Sequence, residues 1–476
     1  MRSAERSGGE AMPSFYRRRR TKIIATLGPA SYEERVLKRL VKEGVDCFRL
    51  NFAHEDYEAK REAIELVREV EEELGTHIPI VGDLQGPVVR LGELEDLPVS
   101  RGEKVYLVEG ERGDSSAREI PLPCRIAFDE MREGDVVLIE GGRIRLRVDY
   151  AGYRSAECTV LTDGVVRSRK TFAIEGKELP LPTITEKDVR DVDFSIEHEL
   201  DYIALSFVRS AGDLEALRGI LRKRGAEDIR IVAKIETRSA VERLEEIARA
   251  SDVVLVARGD LAIYFGLEEI PDIQEEIVET ARAYGKPVVL ATQIMESMIE
   301  NPVPTRSEVL DIVHAVREGV DALMLAGETA VGKYPVESVA WLCKIVAKAE
   351  EEAPEEVEAR SEDIYDKFAR GVVILSELLG AKIVAFSRRG NTARRISRYR
   401  PKSDVYVFTP SRRVARQVRL LWGVEPHLYT GESEGLPLLE IVGELKKIGK
   451  LSYGDLVVAT AGLKEGATDL IRIMKI

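Results

Sequence analysis

The sequence predicts an α/β fold in which a (β/α)8 TIM barrel is interrupted by a small all-β barrel lid and followed by a three-layer α/β domain. Three observations predict it. Short β-branched runs alternate with amphipathic helical stretches over residues 13–86 and 184–354. Those two segments together hold roughly 245 residues, close to the ~250 typical of such a barrel. Between them, turns rich in Gly, Glu and Arg separate short β runs, which indicates an inserted β domain.

Eight β runs account for the barrel, three before the insertion and five after it. Gly28-Pro29 breaks the first run, and Ser31 with Glu34 has the spacing of a capping box for a helix that runs towards Glu43. An open doubly wound sheet is the alternative, because alternating strands and helices are common to both folds. The predicted strands span residues 21–27, 47–52, 79–84, 202–207, 230–236, 253–257, 287–292 and 322–326.

Three further segments complete the predicted organisation. Residues 87–183 form the lid domain, residues 355–476 form a compact α/β domain, and residues 1–12 are a flexible tail. The barrel segments 13–86 and 184–354 form the catalytic domain. The most evident β runs outside the barrel span residues 105–108, 136–139 and 144–148 in the lid and 383–386, 405–408 and 456–460 in the C-terminal domain.

Composition excludes several classes of protein. The chain is 44% apolar and 33% charged, which argues against disorder. Its net charge of −13 disfavours nucleic acid and anionic lipid as partners of the whole molecule, and no uncharged stretch approaches the ~18 residues of a membrane span. Four widely separated cysteines indicate neither a zinc cluster nor a disulfide framework. The N-terminus lacks the apolar region of a signal peptide, so we expect a cytoplasmic protein without membrane or nucleic-acid partners.

Polar side chains occupy nearly every predicted strand end, where a barrel of this kind builds its active site. The pairs Arg49 with Asn51 and Lys234 with Glu236 are spaced by two residues, which places both members of each pair on one face of the strand. Buried charges must pair with one another or bind ligands, and salt bridges that merely fill the barrel are the alternative. The other strand-end residues are Asp83, Ser206, Arg258, Gly259, Asp260, Thr292 and Glu328.

These residue types favour phosphoryl transfer. Glu236 and Asp260 are hard oxygen ligands that could hold Mg²⁺ and leave its other positions to substrate and water. Arg49 offers a bidentate fork for a phosphate, and Lys234 offers a compact charge for a transferring phosphoryl group. The chain has no GxxxxGK[ST] loop, which excludes a P-loop kinase.

At these residues the chain resembles the pyruvate kinase family, and its K⁺-independent, archaeal-like branch most of all. The matching segments cover almost all of the chain from about residue 17, in the family's order. They read TKIIATLGPAS, RLNFAH, LPTITEKD, ALSFVR, AKIE, ARGDLA, ATQIMESM, PTRSEV and MLAGETAVGKYP. The resemblance implies Mg²⁺-dependent (or Mn²⁺-dependent) transfer of the phosphoryl group of phosphoenolpyruvate to ADP, which gives pyruvate and ATP in the last step of glycolysis. It also implies a homotetramer.

The resemblance also implies roles for individual residues. Glu236 and Asp260 would ligate Mg²⁺, and Lys234 would stabilise the transferring group and the developing enolate. Arg49 would hold the phosphate, assisted by Arg90 when the lid closes. The family's carboxylate site corresponds to the N–H groups of Gly259 and Asp260 with the hydroxyl of Thr292, which would also lie near the proton-donating water chain. The family's nucleotide side corresponds to Asn51, His54, Arg90 and Lys187.

Several positions depart from the family pattern. Many members bind K⁺ through an NFSH segment and a DTKGPE segment, of which Asn51 and Asp83 are retained here as a residual monovalent-cation site. Ala53 removes a hydroxyl ligand, and Val88 replaces the acid that accompanies K⁺ dependence, so we expect activity without K⁺. The remaining departures are Ala326 before GET, and Ala262 and Tyr264 after GDL, which bear on the proton relay and on a subunit contact.

A basic segment stands out in the C-terminal domain, where twelve basic residues and one acid lie between Lys382 and Arg419. A solvated or interface surface is one interpretation, while nucleic-acid binding is disfavoured because aromatic residues are not interleaved. The resemblance favours an effector site for an anionic sugar phosphate or nucleotide, such as fructose 1,6-bisphosphate, AMP or 6-phosphogluconate. Its residues would be Ser387, Arg388, Arg389, Gly390, Asn391 and Thr392, in the place of the family's phosphate-binding loop before a helix N-terminus.

Two other functions stay open at the level of sequence. A metal-dependent barrel lyase would share Arg, Glu and Asp at the strand ends, but it would need neither the lid nor Lys234. A catalytically silent, effector-binding relative would be expected to have lost Lys234, Glu236 or Thr292, and all three are present.

Overall fold

A closed eight-stranded parallel barrel forms the centre of the protein, as the sequence predicts. The computed structural model describes residues 19–53, 56–352, 363–431, 436–462 and 468–476. Closure excludes the open doubly wound sheet. The barrel strands are β1 (Lys22–Thr26), β2 (Cys47–Asn51), β3 (Ile80–Asp83), β12 (Tyr202–Leu205), β13 (Arg230–Ile235), β14 (Val253–Ala257), β15 (Val288–Ala291) and β16 (Ala322–Leu325).

Helices surround the barrel and follow its strands. The first of them begins at Glu34, but Glu33 occupies its N-cap and makes no side-chain capping bond. The predicted capping box is therefore wrong, because the Ser31 hydroxyl bonds instead to the main chain of Gly28. The helices are α1 (Glu34–Glu43), α2 (Tyr57–Leu74), α4 (Glu186–Glu197), α5 (Ala211–Lys223), α6 (Arg238–Glu242), α7 (Leu244–Ala250), α8 (Arg258–Tyr264), α9 (Ile270–Ala283), α10 (Arg306–Glu318), α11 (Gly327–Ala330) and α12 (Pro335–Ala349).

Side-chain alternation along the strands divides the apolar core into two layers. Ile23 of β1 packs outward in the layer shared with the helices, whereas Ile24 packs inside the barrel with Met324 of β16. This follows from the two-residue period of a strand. Leu420, from the C-terminal domain, joins the interior layer and is 1% exposed. The C-terminal domain thus closes the floor of the barrel, at the end opposite the site.

The inserted segment between β3 and α4 is mainly β-structure with its own apolar core. Its strands form one six-stranded sheet in the order β11-β7-β8-β9-β5-β6 and one two-stranded sheet, β10-β4. It also contains one short helix, α3 (Arg125–Glu130), that the sequence pattern did not indicate. The strands are β4 (Leu97–Val99), β5 (Lys104–Glu109), β6 (Glu119–Leu122), β7 (Val136–Ile139), β8 (Ile144–Ala151), β9 (Ser155–Val160), β10 (Gly164–Val166) and β11 (Phe172–Ile174).

The C-terminal domain has three layers, as predicted. A five-stranded sheet in the order β19-β18-β17-β20-β21 carries α13, α14 and α15 on one face and α16 on the other. Its strands are β17 (Lys382–Phe386), β18 (Val405–Thr409), β19 (Val424–Leu428), β20 (Leu456–Ala461) and β21 (Leu470–Lys475). Its helices are α13 (Ile364–Leu379), α14 (Asn391–Arg398), α15 (Arg412–Arg419) and α16 (Leu438–Lys447). No helix within the described ranges is long and apolar enough to cross a bilayer.

A ring of four aspartates lies at the floor of the barrel, where alternate strands begin. Asp46, Asp201, Asp252 and Asp321 directly precede β2, β12, β14 and β16. The carboxylate of each accepts a hydrogen bond from a main-chain N–H on the preceding strand of the barrel. These donors are Ile23 at 3.0 Å, Ile80 at 2.9 Å, Ile231 at 2.9 Å and Val288 at 2.8 Å. The ring therefore links the strands in pairs, in keeping with a stabilising role for this end of a barrel.

The basic segment of the C-terminal domain docks on this floor. Six of its twelve basic residues pair with acids of the barrel domain, and three more pair within their own domain. The pairs across the boundary are Arg394–Asp252, Arg400–Asp321, Arg412–Glu72, Arg413–Asp228, Arg416–Glu71 and Arg419–Asp46. Those within the domain are Lys382–Asp455, Arg395–Asp363 and Arg398–Asp366. For half of these basic residues, the structure thus favours the interface interpretation that the sequence left open.

Candidate active site

Five charged side chains from four strand ends converge at the mouth of the barrel. Two guanidinium nitrogens of Arg49 contact Asp83 Oδ2, Nη2 at 2.6 Å and Nε at 2.7 Å. Lys234 Nζ lies 3.4 Å from Asp83 Oδ1 and 3.3 Å from Glu236 Oε2. Asp260, at the start of α8, lies beside Glu236 within hydrogen-bonding distance. The structure thus brings together the residues that the sequence predicts for phosphate and metal binding.

Lys234 stays charged in this setting. Burial alone would lower the pKa of its ammonium group, but the carboxylates of Asp83, Glu236 and Asp260 outweigh burial and hold that pKa above its ordinary value. Asp83 responds in the opposite direction, since Lys234 and Arg49 overcome its burial and lower its pKa. A permanent positive charge at the mouth suits an anionic substrate.

Glu236 and Asp260 form a pair that fits a divalent cation. The cluster holds one more carboxylate than it holds cations, and burial raises the pKa of both Glu236 and Asp260. Glu236 Oε1 accepts from the Phe207 N–H at 2.5 Å, while Oε2 is buried and accepts no hydrogen bond from the described residues. The described cation nearest to Oε2 is the Lys234 ammonium at 3.3 Å, and a buried carboxylate oxygen without a hydrogen-bond donor suits a metal ligand. No group of three or more potential metal ligands occurs within the described ranges, so substrate or water would complete the coordination.

A strained turn presents Thr292 to the site. Thr292 and Gln293 have φ angles of 68° and 53°. Positive φ angles are uncommon for residues other than glycine, and they are rarest for β-branched residues such as threonine. Arg258 holds this turn. Its Nη2 donates to the carbonyls of Thr292 and Gln293 at 2.9 Å, and its Nη1 pairs with Asp311 at 2.8 Å. In this conformation Thr292 Oγ1 accepts from the Gly259 N–H at 2.9 Å. The three groups predicted to hold a carboxylate therefore stand next to one another.

Two hydroxyl-bearing residues contact the cations of the site. The sequence placed Ser206 among the polar strand-end residues without giving it a role, and it did not single out Thr26. Thr26 is the last residue of β1, and Ser206 directly follows β12. Thr26 Oγ1 lies 3.2 Å from Arg49 Nη1, and Ser206 Oγ lies 2.7 Å from Lys234 Nζ. The position of Thr26 at a strand end is the signal that could have identified it.

The predicted nucleotide side is only partly assembled. Lys187 Nζ donates to the Phe52 carbonyl at 2.5 Å and pairs with Asp191 at 2.8 Å, which places it beside the loop after β2. Asn51 is the last residue of β2, directly before that loop, and its Oδ1 accepts from the Ala53 N–H at 3.0 Å. Arg90 donates to the Arg169 carbonyl of the lid and has no ion pair with the mouth cluster among the described residues. The predicted residue His54 lies outside the described residues.

A cavity of about 220 Å³ separates the lid from the barrel mouth. Gly259 and Asp260 line it from the barrel, and Val88 and Tyr264, two of the positions that depart from the family pattern, line it as well. The Gly176 N–H of the lid segment donates to the Ile263 carbonyl of α8 at 3.0 Å. The lid therefore contacts the element that carries Asp260, in a position to cover a bound substrate.

The loop predicted to bind an effector precedes α14. Ser387 is buried and Arg388 and Arg389 are exposed. Gly390, with φ 79°, caps the helix, and Thr392 Oγ1 lies 2.9 Å from Thr468 Oγ1. Asn391 is the first residue of the helix. The loop lies on the C-terminal domain, separate from the charged cluster at the mouth.

Comparison with known proteins gives consistent matches over nearly the full chain. Residues 18–339 match the family model described as pyruvate kinase, barrel domain, and residues 366–474 match the one described as pyruvate kinase, alpha/beta domain. The pyruvate kinase of Aeropyrum pernix is 40% identical over 457 residues, which cover 95% of this chain and 98% of the relative. The pyruvate kinase of Pyrobaculum aerophilum is 37% identical over 451 residues, or 94% and 95% of the two chains.

Solved structures agree with these matches. The crystal structure of the Pyrobaculum aerophilum pyruvate kinase superposes with a TM-score of 0.86 at 34% identity and covers 96% of this chain and 99% of that one. A crystal structure of a pyruvate kinase from Cryptosporidium parvum superposes with a TM-score of 0.89 at 29% identity and covers 98% of each chain.

Proposed function

The chain belongs to the pyruvate kinase family and catalyses transfer of the phosphoryl group of phosphoenolpyruvate to ADP, giving pyruvate and ATP; we propose that the charged cluster at the barrel mouth carries out this transfer. The observation that carries the proposal is the convergence of Arg49, Lys234, Glu236 and Asp260 at one end of the barrel. Phosphoryl transfer depends chiefly on positioning and on stabilisation of negative charge, and these residues supply both.

Each residue has a distinct task in this proposal. The Arg49 guanidinium binds the phosphate of phosphoenolpyruvate, and Lys234 accompanies the phosphoryl group and stabilises the enolate left behind. The N–H groups of Gly259 and Asp260, with the Thr292 hydroxyl, orient the carboxylate. Thr292 also stands where a water chain would protonate the enolate. Arg90 would join the phosphate only in a more closed lid position than the one described, since it now bonds within the lid.

Enzymes of this family need Mg²⁺, and the residues present fit it. Glu236 and Asp260 would hold the ion, and the buried Oε2 of Glu236, which accepts no hydrogen bond from the described residues, supports this assignment. When bound, the ion neutralises charge on the phosphate and carboxylate oxygens. Mn²⁺ would satisfy the same oxygen ligands. Asn51, Lys187 and His54 are proposed to line the nucleotide side.

A coupled assay tests the proposed activity directly. Pyruvate formation from phosphoenolpyruvate is expected to depend on both ADP and a divalent cation. Pyruvate formation without ADP would favour the barrel lyase, and absence of activity in the purified folded chain would favour a silent relative.

We propose further that activity does not require K⁺. A monovalent cation would have to compete for its would-be ligands, because Asn51 Oδ1 accepts from the Ala53 N–H and the two carboxylate oxygens of Asp83 face Arg49 and Lys234. Ala53 offers no hydroxyl. We expect kcat/KM to change less than about twofold when K⁺ is replaced by a tetraalkylammonium salt at equal ionic strength, which controls for screening. A many-fold decrease in kcat/KM on this replacement would refute the proposal.

An anionic effector site is proposed at residues 387–392. Two exposed guanidinium groups, Arg388 and Arg389, stand next to a helix N-terminus and two hydroxyls, a combination suited to phosphate. In a thermal-shift screen of sugar phosphates and nucleotides, at least one is expected to raise the unfolding midpoint by about 3 °C or more. The Arg388→Ala/Arg389→Ala double variant should lose this shift. If none of the anions shifts the midpoint, the effector proposal fails.

A homotetramer and a cytoplasmic location complete the proposal. Helix α13 exposes Ile374 and Leu378, and the edge strand β21 exposes Ile473, which together offer an apolar and strand-pairing surface to another copy of the chain. All four cysteines are unpaired, which suits a reducing compartment.

A further inference from the structure

Each of the two cations at the barrel mouth is held by a buried hydroxyl group. Ser206 Oγ accepts from Lys234 Nζ at 2.7 Å, and Thr26 Oγ1 accepts from Arg49 Nη1 at 3.2 Å. Ser206 is 2% exposed and Thr26 is 3% exposed. The two contacts come from different strands. The hydroxyl is the nearest partner of Lys234 among the described residues. Arg49, in contrast, has the Thr26 hydroxyl in addition to the closer Asp83 carboxylate at 2.6 Å.

The proton of each hydroxyl is directed away from the cation. Ser206 Oγ donates to the Leu84 carbonyl at 2.7 Å, and Thr26 Oγ1 donates to the Leu325 carbonyl at 2.8 Å. A hydroxyl has a single proton, so this donation leaves its lone pairs free to face the ammonium or guanidinium group. The main chain of a neighbouring strand thus sets the direction in which each hydroxyl accepts.

A neutral acceptor does something that the carboxylates of the site cannot do. The shortest contact of Lys234 is with Ser206, since its distances to Asp83 and Glu236 are 3.4 and 3.3 Å. A carboxylate that held Lys234 closely would neutralise the charge needed by the phosphoryl oxygens. A hydroxyl fixes the position of the cation and leaves that charge available, which matters because displacement of a catalytic group by about 1 Å can cost about a hundredfold in rate.

We propose that Ser206 and Thr26 are positioning residues, Ser206 for Lys234 and Thr26 for Arg49. The proposal rests on the proposed function of those two cations. Neither hydroxyl touches the reacting atoms in this assignment. Each acts through its cation, so the two should affect different kinetic constants.

Two pairs of variants test this assignment. Ser206→Ala should lower kcat about ten- to hundredfold, the effect of losing a hydrogen bond to a charged group, with KM for phosphoenolpyruvate within about twofold. Thr26→Val, which removes the hydroxyl at nearly constant shape, should instead raise that KM about ten- to hundredfold with a smaller change in kcat. Ser206→Thr and Thr26→Ser keep the hydroxyl and should recover activity to within a few fold, which a purely structural role would not require.

The kinetic constants of these variants can also overturn the proposal. It fails if Ser206→Ala and Thr26→Val keep kcat and KM within twofold of the parent, or if Thr26→Ser is as impaired as Thr26→Val. Unfolding midpoints of all four variants separate positioning from loss of fold. Protection of the chain by phosphoenolpyruvate without ADP gives a second measure of the Thr26 contact. Weaker protection in Thr26→Val but not in Thr26→Ser would support the contact even if the coupled assay failed for the parent chain.

Discussion

Replacement of Lys234 by methionine is expected to lower kcat for pyruvate formation by about a thousandfold, since it removes the charge that we propose faces the transferring phosphoryl group. Methionine keeps the length and the apolar stem of the side chain. The pKa of Lys234 lies above its ordinary value because of Asp83, Glu236 and Asp260, so the lost group is fully charged at neutral pH. Steady-state kinetics with saturating ADP and divalent cation measure the effect.

An exposed lysine provides the matched control for this variant. Lys223, at the end of α5, is exposed, and Lys223→Met should leave kcat unchanged. The unfolding midpoint of Lys234→Met is expected to fall, because Glu236 and Asp83 lose a buried counter-ion. A variant that folds and keeps more than about a tenth of the parent kcat would remove Lys234 from the transfer step.

The second large effect is expected from Glu236→Gln, which keeps the shape of the side chain and removes its charge. We expect kcat/KM to fall by about a hundredfold or more and the concentration of Mg²⁺ needed for half-maximal activity to rise by a similar factor, since a hard cation prefers a carboxylate ligand. The Phe207 N–H can still donate to the amide oxygen, so local structure should persist. Activity titrations with Mg²⁺ and direct binding of Mn²⁺ give the two measurements.

The same variant should be at least as stable as the parent when no metal is present. The pKa of Glu236 is raised above its ordinary 4.5 by burial, so the folded chain binds this proton more tightly than the unfolded chain does. Parent stability from this group is therefore lost as pH rises from about 4.5 to about 8, and the difference in unfolding midpoint should grow in favour of Glu236→Gln over that range. Unchanged affinity for Mn²⁺ in the variant would contradict the role of Glu236 as a ligand.

The barrel and its charged cluster could be predicted from the sequence because both follow from short-range periodicity. A two-residue spacing places Lys234 and Glu236 on one face of β13, and parallel strands bring their ends to one mouth. Asn51 shares that spacing with Arg49, yet its side chain turns to the Ala53 N–H. Local bonding of this kind competes with the strand pattern and has no periodic signal.

Other features of the site depend on contacts between distant parts of the chain. The left-handed backbone of Thr292 could not be expected from a β-branched residue, and it persists because Arg258 binds the carbonyls of Thr292 and Gln293. The basic segment suggested a surface for anions, whereas six of its twelve basic residues pair with acids of the barrel domain that lie well before it in the chain. Such pairing becomes visible only once the barrel has closed.

The ring of four aspartates makes the barrel and the C-terminal domain a single unit of stability. Each carboxylate links two strands of the barrel, and Asp46, Asp252 and Asp321 also contact arginines of the C-terminal domain. Asp201 contributes its main-chain carbonyl, which accepts from Gln417 at 3.2 Å. Separating the domains would return these acids to water without their partners and uncover Leu420 and the apolar interior it closes. We therefore expect that the barrel of this protein is not stable as an isolated domain, since its floor is closed by the last quarter of the chain.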